Sequence, residues 1–92
     1  MSIRVRIIDD EVLSNIDRYK LRAYLGRTGW MYIGETPNMG EWFEKFAGEQ
    51  CYEIMVPFEG MRDYKYRMYE MFQVLEEIEN RSQLDIWEDL KK

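Results

Sequence analysis

Histidine is absent from this chain of 92 residues, and cysteine occurs only once, at Cys51. A single cysteine cannot form a disulfide within the chain, and the ligands of a Cys/His zinc site are missing. Without an imidazole, the sequence also excludes catalytic mechanisms that use histidine as the base. We expect Cys51, near the start of a strand, to be a small apolar filler rather than a catalytic thiolate.

Long apolar runs are missing as well. No stretch approaches the roughly 18 apolar residues of a membrane-spanning helix. The N-terminal residues, which include Arg4, Arg6, Asp9 and Asp10, contain no apolar region of the signal-peptide type. Together with one unpaired cysteine, these features predict a cytoplasmic protein that does not associate with membranes. The length predicts a single domain, residues 1–92, and excludes a multidomain enzyme.

Positive charge is scarce, with 13 basic residues against 18 acidic ones and a net charge of -5. Binding to nucleic acid or anionic lipid depends on Lys and Arg that neutralise phosphate, so the composition makes nucleic acid an unlikely partner. Residues 68–90 contain seven acidic residues and one basic residue, which predicts an acidic C-terminal region. Neither acidic run, 9–11 or 76–79, has the alternating spacing of a metal-binding loop. We therefore expect no metal and no other cofactor.

The first third of the chain predicts a strand and then a helix. Residues 3–8 alternate apolar residues with Arg4 and Arg6, the pattern of a half-buried strand. Three apolar residues with the spacing of one helix face follow, namely Leu21, Tyr24 and Leu25. Asn15 or Asp17 is the expected N-cap, and Gly29 is the expected end. Trp30 should then pack back on Leu25.

Three short strands separated by turn residues come next, Trp30–Glu35, Glu41–Phe46 and Cys51–Val56. Trp42 and Phe46 fall on one face of the second strand and Phe43 on the other, so both faces of the sheet carry apolar groups. The excess of aromatic residues over what one small core holds favours an oligomer or a constitutive partner.

The last third is helical. One stripe of a long helix contains Tyr64, Met68, Met71, Phe72, Leu75 and Ile78. Asp63 is a plausible N-cap, and Ser82 begins a near capping box for a final helix through Leu84, Trp87 and Leu90. The order β-α-β-β-β-α-α predicts an α+β fold, with a three- to four-stranded antiparallel sheet and helices packed on one face.

Two resemblances extend this interpretation. The stretch from Leu21 to Val56-Pro57, with Gly29-Trp30 at the first junction between helix and strand, resembles the core of the HicA-type mRNA interferase toxins. That resemblance implies a fold like that of double-stranded-RNA-binding domains. The toxins carry a histidine on their second strand, and the corresponding Glu41–Phe46 has none. We therefore do not expect ribonuclease activity.

The chain is also similar to small bacterial α+β domains of unassigned function. The residues that carry this similarity are Leu21-Arg22-Ala23-Tyr24-Leu25, Gly29-Trp30, Val56-Pro57, Arg62-Asp63-Tyr64, Arg67-Met68 and Glu79-Asn80-Arg81-Ser82-Gln83-Leu84. The resemblance implies a bacterial protein and supports the division into elements, and it implies no chemistry.

The candidate binding surface is the side of the long helix that faces away from the predicted core. It carries Arg62, Lys65, Tyr66 and Tyr69 in its first half and Glu76 and Glu77 in its second half. Tyr and Arg are enriched in protein interfaces, so this pattern favours a protein partner or a second copy of the chain. Tyrosines that merely lie against a neighbouring element, or rings that stack on single-stranded nucleic acid, are the alternatives.

Arg18 and Arg22, one turn apart, leave two interpretations open: a clamp for an anion, or a solvated face paired with Asp or Glu.

The function that the sequence favours is a small non-enzymatic interaction or adaptor module that self-associates through aromatic surface. The alternative is a nucleic-acid-binding or degenerate HicA-like toxin module.

Overall fold

One helix, three strands and two further helices follow one another in this computed structural model, which describes Leu13 and residues 15–92. They are α1 (Arg18–Arg27), β1 (Met31–Thr36), β2 (Gly40–Ala47), β3 (Gln50–Pro57), α2 (Tyr64–Glu79) and α3 (Gln83–Leu90). This order confirms the α+β class. The strand predicted at residues 3–8 lies outside the described residues.

The three strands form one antiparallel sheet in the order β1-β2-β3. Since side chains alternate along a strand, the register defines two faces. The inner face carries Phe43, Ile54 and Val56, which belong to the buried core. The outer face carries Met31, Trp42, Glu44, Phe46, Cys51, Glu53 and Met55. The register of β1 shifts between Tyr32 and Gly34, a bulge of the kind that makes a sheet edge less open to further pairing.

Local chemistry sets the ends of α1 as predicted. The Asp17 carboxylate accepts hydrogen bonds from the backbone N–H groups of Tyr19 (2.9 Å) and Lys20 (3.2 Å). Beyond the helix, Gly29 takes a left-handed conformation with φ 96°. The Trp30 N–H then donates to the Leu25 carbonyl at 2.9 Å, and the Trp30 side chain is buried, with 5% exposed.

The N-cap predictions for the later helices differ in outcome. Asp63 occupies the N-cap position of α2, but its side chain makes no capping hydrogen bond. Ser82 caps α3 as predicted, since its Oγ accepts from the Asp85 N–H at 3.2 Å. Between the two helices, Asn80 adopts a left-handed conformation that ends α2.

The core forms between the inner face and one side of each helix. Its largest fully buried members include Leu21, Tyr24, Leu25, Met68, Phe72 and Leu75. The final helix runs through Leu84, Trp87 and Leu90 as predicted. Leu84 is 40% exposed, and Ile86 with the polar Gln83 fills the buried positions beside Leu90. In the part of the chain that the structure describes, no helix combines the length and apolar character needed to cross a bilayer.

Candidate functional site

The exposed side of α2 and the turn before it bring together the residues predicted from the sequence, with two corrections. Tyr66 is the most prominent, with 63% of its surface exposed. Lys65 and Glu77 are also exposed, and Glu76 is half-buried. Arg62 is exposed too, but it lies in the turn before α2 rather than on the helix as predicted, because the helix begins at Tyr64. Tyr69 contributes less than predicted, because its ring is partly buried against the core. At 100° per residue the helical positions lie within one arc, so they form a continuous stripe along the helix.

The first half of this stripe borders a concave surface. A cavity of about 690 Å³ is lined by Leu13, Met61, Arg62, Asp63, Tyr64, Lys65, Tyr66 and Tyr69. Burial, and then the negative charge of Glu59, raises the pKa of Tyr64, so this side chain stays a neutral phenol. The combination of tyrosine rings with Arg62 and Lys65 gives the cavity an aromatic and cationic lining.

The second half of the stripe borders a different cavity. It measures about 350 Å³, and its lining is mostly polar and acidic: Glu70, Gln73, Val74, Glu76, Glu77 and Gln83. Because a helix rises 1.5 Å per residue, Lys65 and Glu76 are separated by about 17 Å along α2. The six predicted residues therefore share one stripe but belong to two cavities of opposite charge.

Of the two interpretations of Arg18 and Arg22, an anion clamp or pairing with Asp or Glu, the structure shows pairing with a carboxylate of the chain. The Glu41 side chain, on the inner face, is buried with 6% exposed. Arg18 Nη2 lies 2.8 Å from Glu41 Oε1, and Arg22 Nη2 lies 3.8 Å from Oε2. Sequence reasoning missed Glu41. The available signal was its position two residues before Phe43, in the row that faces the core.

Sequence reasoning also missed a polar network at the C-terminal end of α2. The buried Tyr24 hydroxyl donates to the Glu79 carboxylate, and Arg81 Nη2 donates to the same hydroxyl at 2.7 Å. Arg81 also pairs with Asp89 at 3.0 Å. Burial, and then the hydrogen bond to Glu79, raises the pKa of Tyr24, while the hydrogen bond from Arg81 lowers the pKa of Asp89. This network connects all three helices and fixes the C-terminal end of α2.

The outer face contradicts the prediction for Cys51, whose side chain is exposed rather than a buried filler. The physical reason is strand alternation, because Cys51 shares the outer face with Glu53, away from the core. Partial desolvation, and then the charges of Glu44 and Glu53, raises the pKa of the Cys51 thiol. An elevated pKa disfavours the thiolate, so this position is poorly suited to nucleophilic chemistry.

Within the described residues, no group of three or more His, Cys, Asp or Glu side chains is placed to hold a metal ion. Comparison of the chain with protein-family models, with curated proteins and with solved structures gives no match.

Proposed function

We propose that this chain is a non-enzymatic protein-interaction module that forms a two-fold symmetric dimer through the exposed stripe of α2. The observation that carries the proposal is the reversal of charge along that stripe, from Arg62 and Lys65 at its start to Glu76 and Glu77 toward its end. Two copies of such a helix attract each other when they run antiparallel, because each basic half then lies beside an acidic half.

The spacing of the stripe fixes the register of this contact. With the two-fold axis midway between Tyr69 and Gln73, Tyr69 of one copy faces Gln73 of the other. The same axis sets Lys65 opposite Glu77 and Tyr66 opposite Glu76, since all three pairs share one midpoint on the helix. The pairing is isologous, so each favourable contact occurs twice.

Shape supports the same register. Glu76 lines the smaller cavity, and the facing residue in the antiparallel arrangement is the exposed Tyr66. The ring of Tyr66 from one copy therefore enters the cavity of the other. Tyrosine is among the residues that supply most binding energy in interfaces, particularly when it fills a pocket.

A nucleic-acid partner has less support. Stacking by Tyr66 and phosphate contacts by Arg62 and Lys65 would occupy only the first half of α2. A nucleic-acid backbone continuing along the helix would meet Glu76 and Glu77, whose charges repel phosphate.

The exposed, unpaired Cys51 fits a reducing compartment, and we accordingly place the protein in the bacterial cytoplasm.

Sedimentation equilibrium tests the dimer. We expect wild type to dimerise at about 100 µM or below, a range in which specific interfaces are normally populated. Lys65→Glu should favour the monomer, because it places a negative charge opposite Glu77 at both of the symmetric contacts in the dimer. Adding Glu77→Lys to Lys65→Glu should restore the dimer, because the exchanged charges attract again.

Tyr66→Ala and Tyr19→Ala provide a matched pair. Tyr19 is 82% exposed on α1, outside the stripe, so its substitution should leave dimerisation unchanged, whereas Tyr66→Ala should weaken it. A wild type that remains monomeric contradicts the proposal. So does a dimer that is indifferent to Lys65→Glu and Tyr66→Ala.

A further inference from the structure

We propose that the outer face of the sheet, a surface separate from the stripe of α2, binds a cationic amphipathic segment of another protein. Two of its side chains are large, apolar and mostly exposed: Phe46 at 67% and Met31 at 61%. Met31 pairs in the register with Glu44, and Phe46 pairs with Cys51. Apolar and acidic groups are thus interleaved on one open surface.

The charge of the outer face identifies the partner chemistry. Glu44 and Glu53 stand directly opposite each other on β2 and β3, an arrangement that is unfavourable for two like charges. In the described part of the chain, neither carboxylate forms an ion pair. Lys45, the neighbouring cation, points to the inner side, where its Nζ donates to the Thr28 carbonyl at 2.6 Å. A cation brought by a partner would relieve the repulsion between the two carboxylates.

The apolar part of the surface continues into a groove between the outer face and α2. This groove has a volume of about 390 Å³ and is lined by Met39, Trp42, Glu53, Ile54, Met55, Arg67, Glu70, Met71 and Val74. Three methionines give it an adaptable lining, as in other sites that accept varied apolar side chains. The Trp42 ring is fixed at the groove by a hydrogen bond from its Nε1 to Thr36 Oγ1 at 2.9 Å.

A segment with apolar side chains on one side and Lys or Arg beside them matches these features together. Its apolar residues occupy the groove and cover Phe46, and its cations reach Glu44 and Glu53. A second copy of the chain fits less well, because a two-fold contact between outer faces would gather four carboxylates. Arg67 adds little positive charge, since its Nη1 is held by Glu70 at 3.3 Å.

The test is a titration of the full chain with a synthetic amphipathic peptide of leucine and lysine, followed by NMR. We expect the largest shifts at the Trp42 indole N–H and at the amides of residues 44, 46 and 53. The counterpart peptide of leucine and glutamate should not bind. Glu44→Lys with Glu53→Lys should weaken the leucine–lysine peptide by at least about tenfold, because both favourable charges are reversed.

Asp85→Lys with Glu88→Lys is the control, since it changes the net charge by the same amount at two exposed positions on α3, away from the outer face, and should leave the affinity unchanged. Equal binding by the Glu44/Glu53 variant and wild type overturns the proposal, as do shifts confined to α2. The chain has a cationic stretch of its own at Arg4 and Arg6. If the variant Arg4→Glu with Arg6→Glu binds the peptide more tightly than wild type does, that stretch of the chain itself occupies the outer face in wild type. Such a result would overturn the proposal that the partner is another protein.

This test is independent of the proposed dimer. Lys65→Glu removes the dimer contact without altering the outer face, so the titration is repeated on that variant. Retained peptide binding there supports the outer-face proposal whether or not wild type dimerises. Loss of peptide binding in the Lys65→Glu variant contradicts it.

Discussion

Arg18 holds the buried Glu41 carboxylate with two nitrogens, Nε at 3.0 Å and Nη2 at 2.8 Å from the same oxygen. Its Nη1 also donates to the Pro57 carbonyl at 2.9 Å, and its guanidinium lies 5.0 Å from the centre of the Phe58 ring. One side chain therefore ties the start of α1 to β2 and to the end of β3.

Removing the guanidinium should destabilise the fold strongly. Arg18→Ala leaves the Glu41 carboxylate buried without its main partner, and we expect a loss of about 2–3 kcal/mol in the free energy of unfolding. Arg22→Ala is the control, because Arg22 is half-exposed and 3.8 Å away, and it should cost less than about 1 kcal/mol. Urea unfolding of the three proteins measures both values, and similar losses would show that Glu41 does not depend on Arg18.

Trp30 should be a structural residue. Its side chain is buried directly after the glycine that ends α1, and Trp30→Ala should cost about 3–5 kcal/mol. Phe46→Ala removes another aromatic ring, but one that is 67% exposed on the outer face, and should cost less than about 1 kcal/mol. Thermal and urea unfolding compare the two variants. A loss below about 1 kcal/mol for Trp30→Ala contradicts its place in the core.

Trp30 shows where sequence reasoning succeeds. The cap at Asp17, the left-handed Gly29 and the burial of Trp30 depend on residues within a few positions of one another, so local chemistry determines them. The strands follow from alternation, and the shared stripe of α2 follows from helical periodicity.

The remaining features depend on packing between distant segments. Glu41 lies 23 positions after Arg18, and Arg81 lies 57 positions after Tyr24, so no local pattern indicates that they meet. The division of the α2 stripe between two cavities depends on Leu13 at one end and Gln83 at the other. Periodicity places residues on a helix face, but it does not reveal what stands beside that face.

The stability of the fold should fall at high pH through Tyr24. Burial, and then the hydrogen bond to Glu79, holds the pKa of Tyr24 above its ordinary value of 10.0. Above that pH the unfolded chain releases the phenolic proton while the folded chain keeps it, so the unfolded state gains stability as pH rises. Tyr24→Phe should lower stability at neutral pH and show a smaller decline above pH 10.

Urea unfolding on both sides of pH 10 checks this dependence. Tyr19→Phe is the matched control, because Tyr19 is exposed and its variant should decline as wild type does. A Tyr24→Phe decline as steep as that of wild type would refute the role of the buried hydroxyl.

Two glycines should respond in opposite ways to alanine. Gly26 lies inside α1, and a Cβ there would have no atom within 4 Å, so Gly26→Ala should stabilise the fold by about 0.5–1 kcal/mol. At Gly40 a Cβ would stand 2.4 Å from the Val56 carbonyl oxygen, which belongs to the backbone of β3 and cannot move aside cheaply. Gly40→Ala should cost about 1–3 kcal/mol. Unfolding curves that show no difference between the variants would contradict the close approach of β2 and β3.

Salt should weaken the proposed dimer without abolishing it. The facing pairs of Lys65 with Glu77 are exposed, and their attraction is screened as the Debye length falls from about 10 Å at 0.1 M salt to about 3 Å at 1 M. The contribution of the Tyr66 ring in its cavity is apolar and persists at high salt. We therefore expect the dissociation constant to rise with salt, and to rise less in a variant that carries both Lys65→Gln and Glu77→Gln. Sedimentation of both proteins across this range measures the difference. A dissociation constant that falls with added salt would indicate an interface held by apolar contacts alone, and the reversal of charge along α2 would then have no part in it.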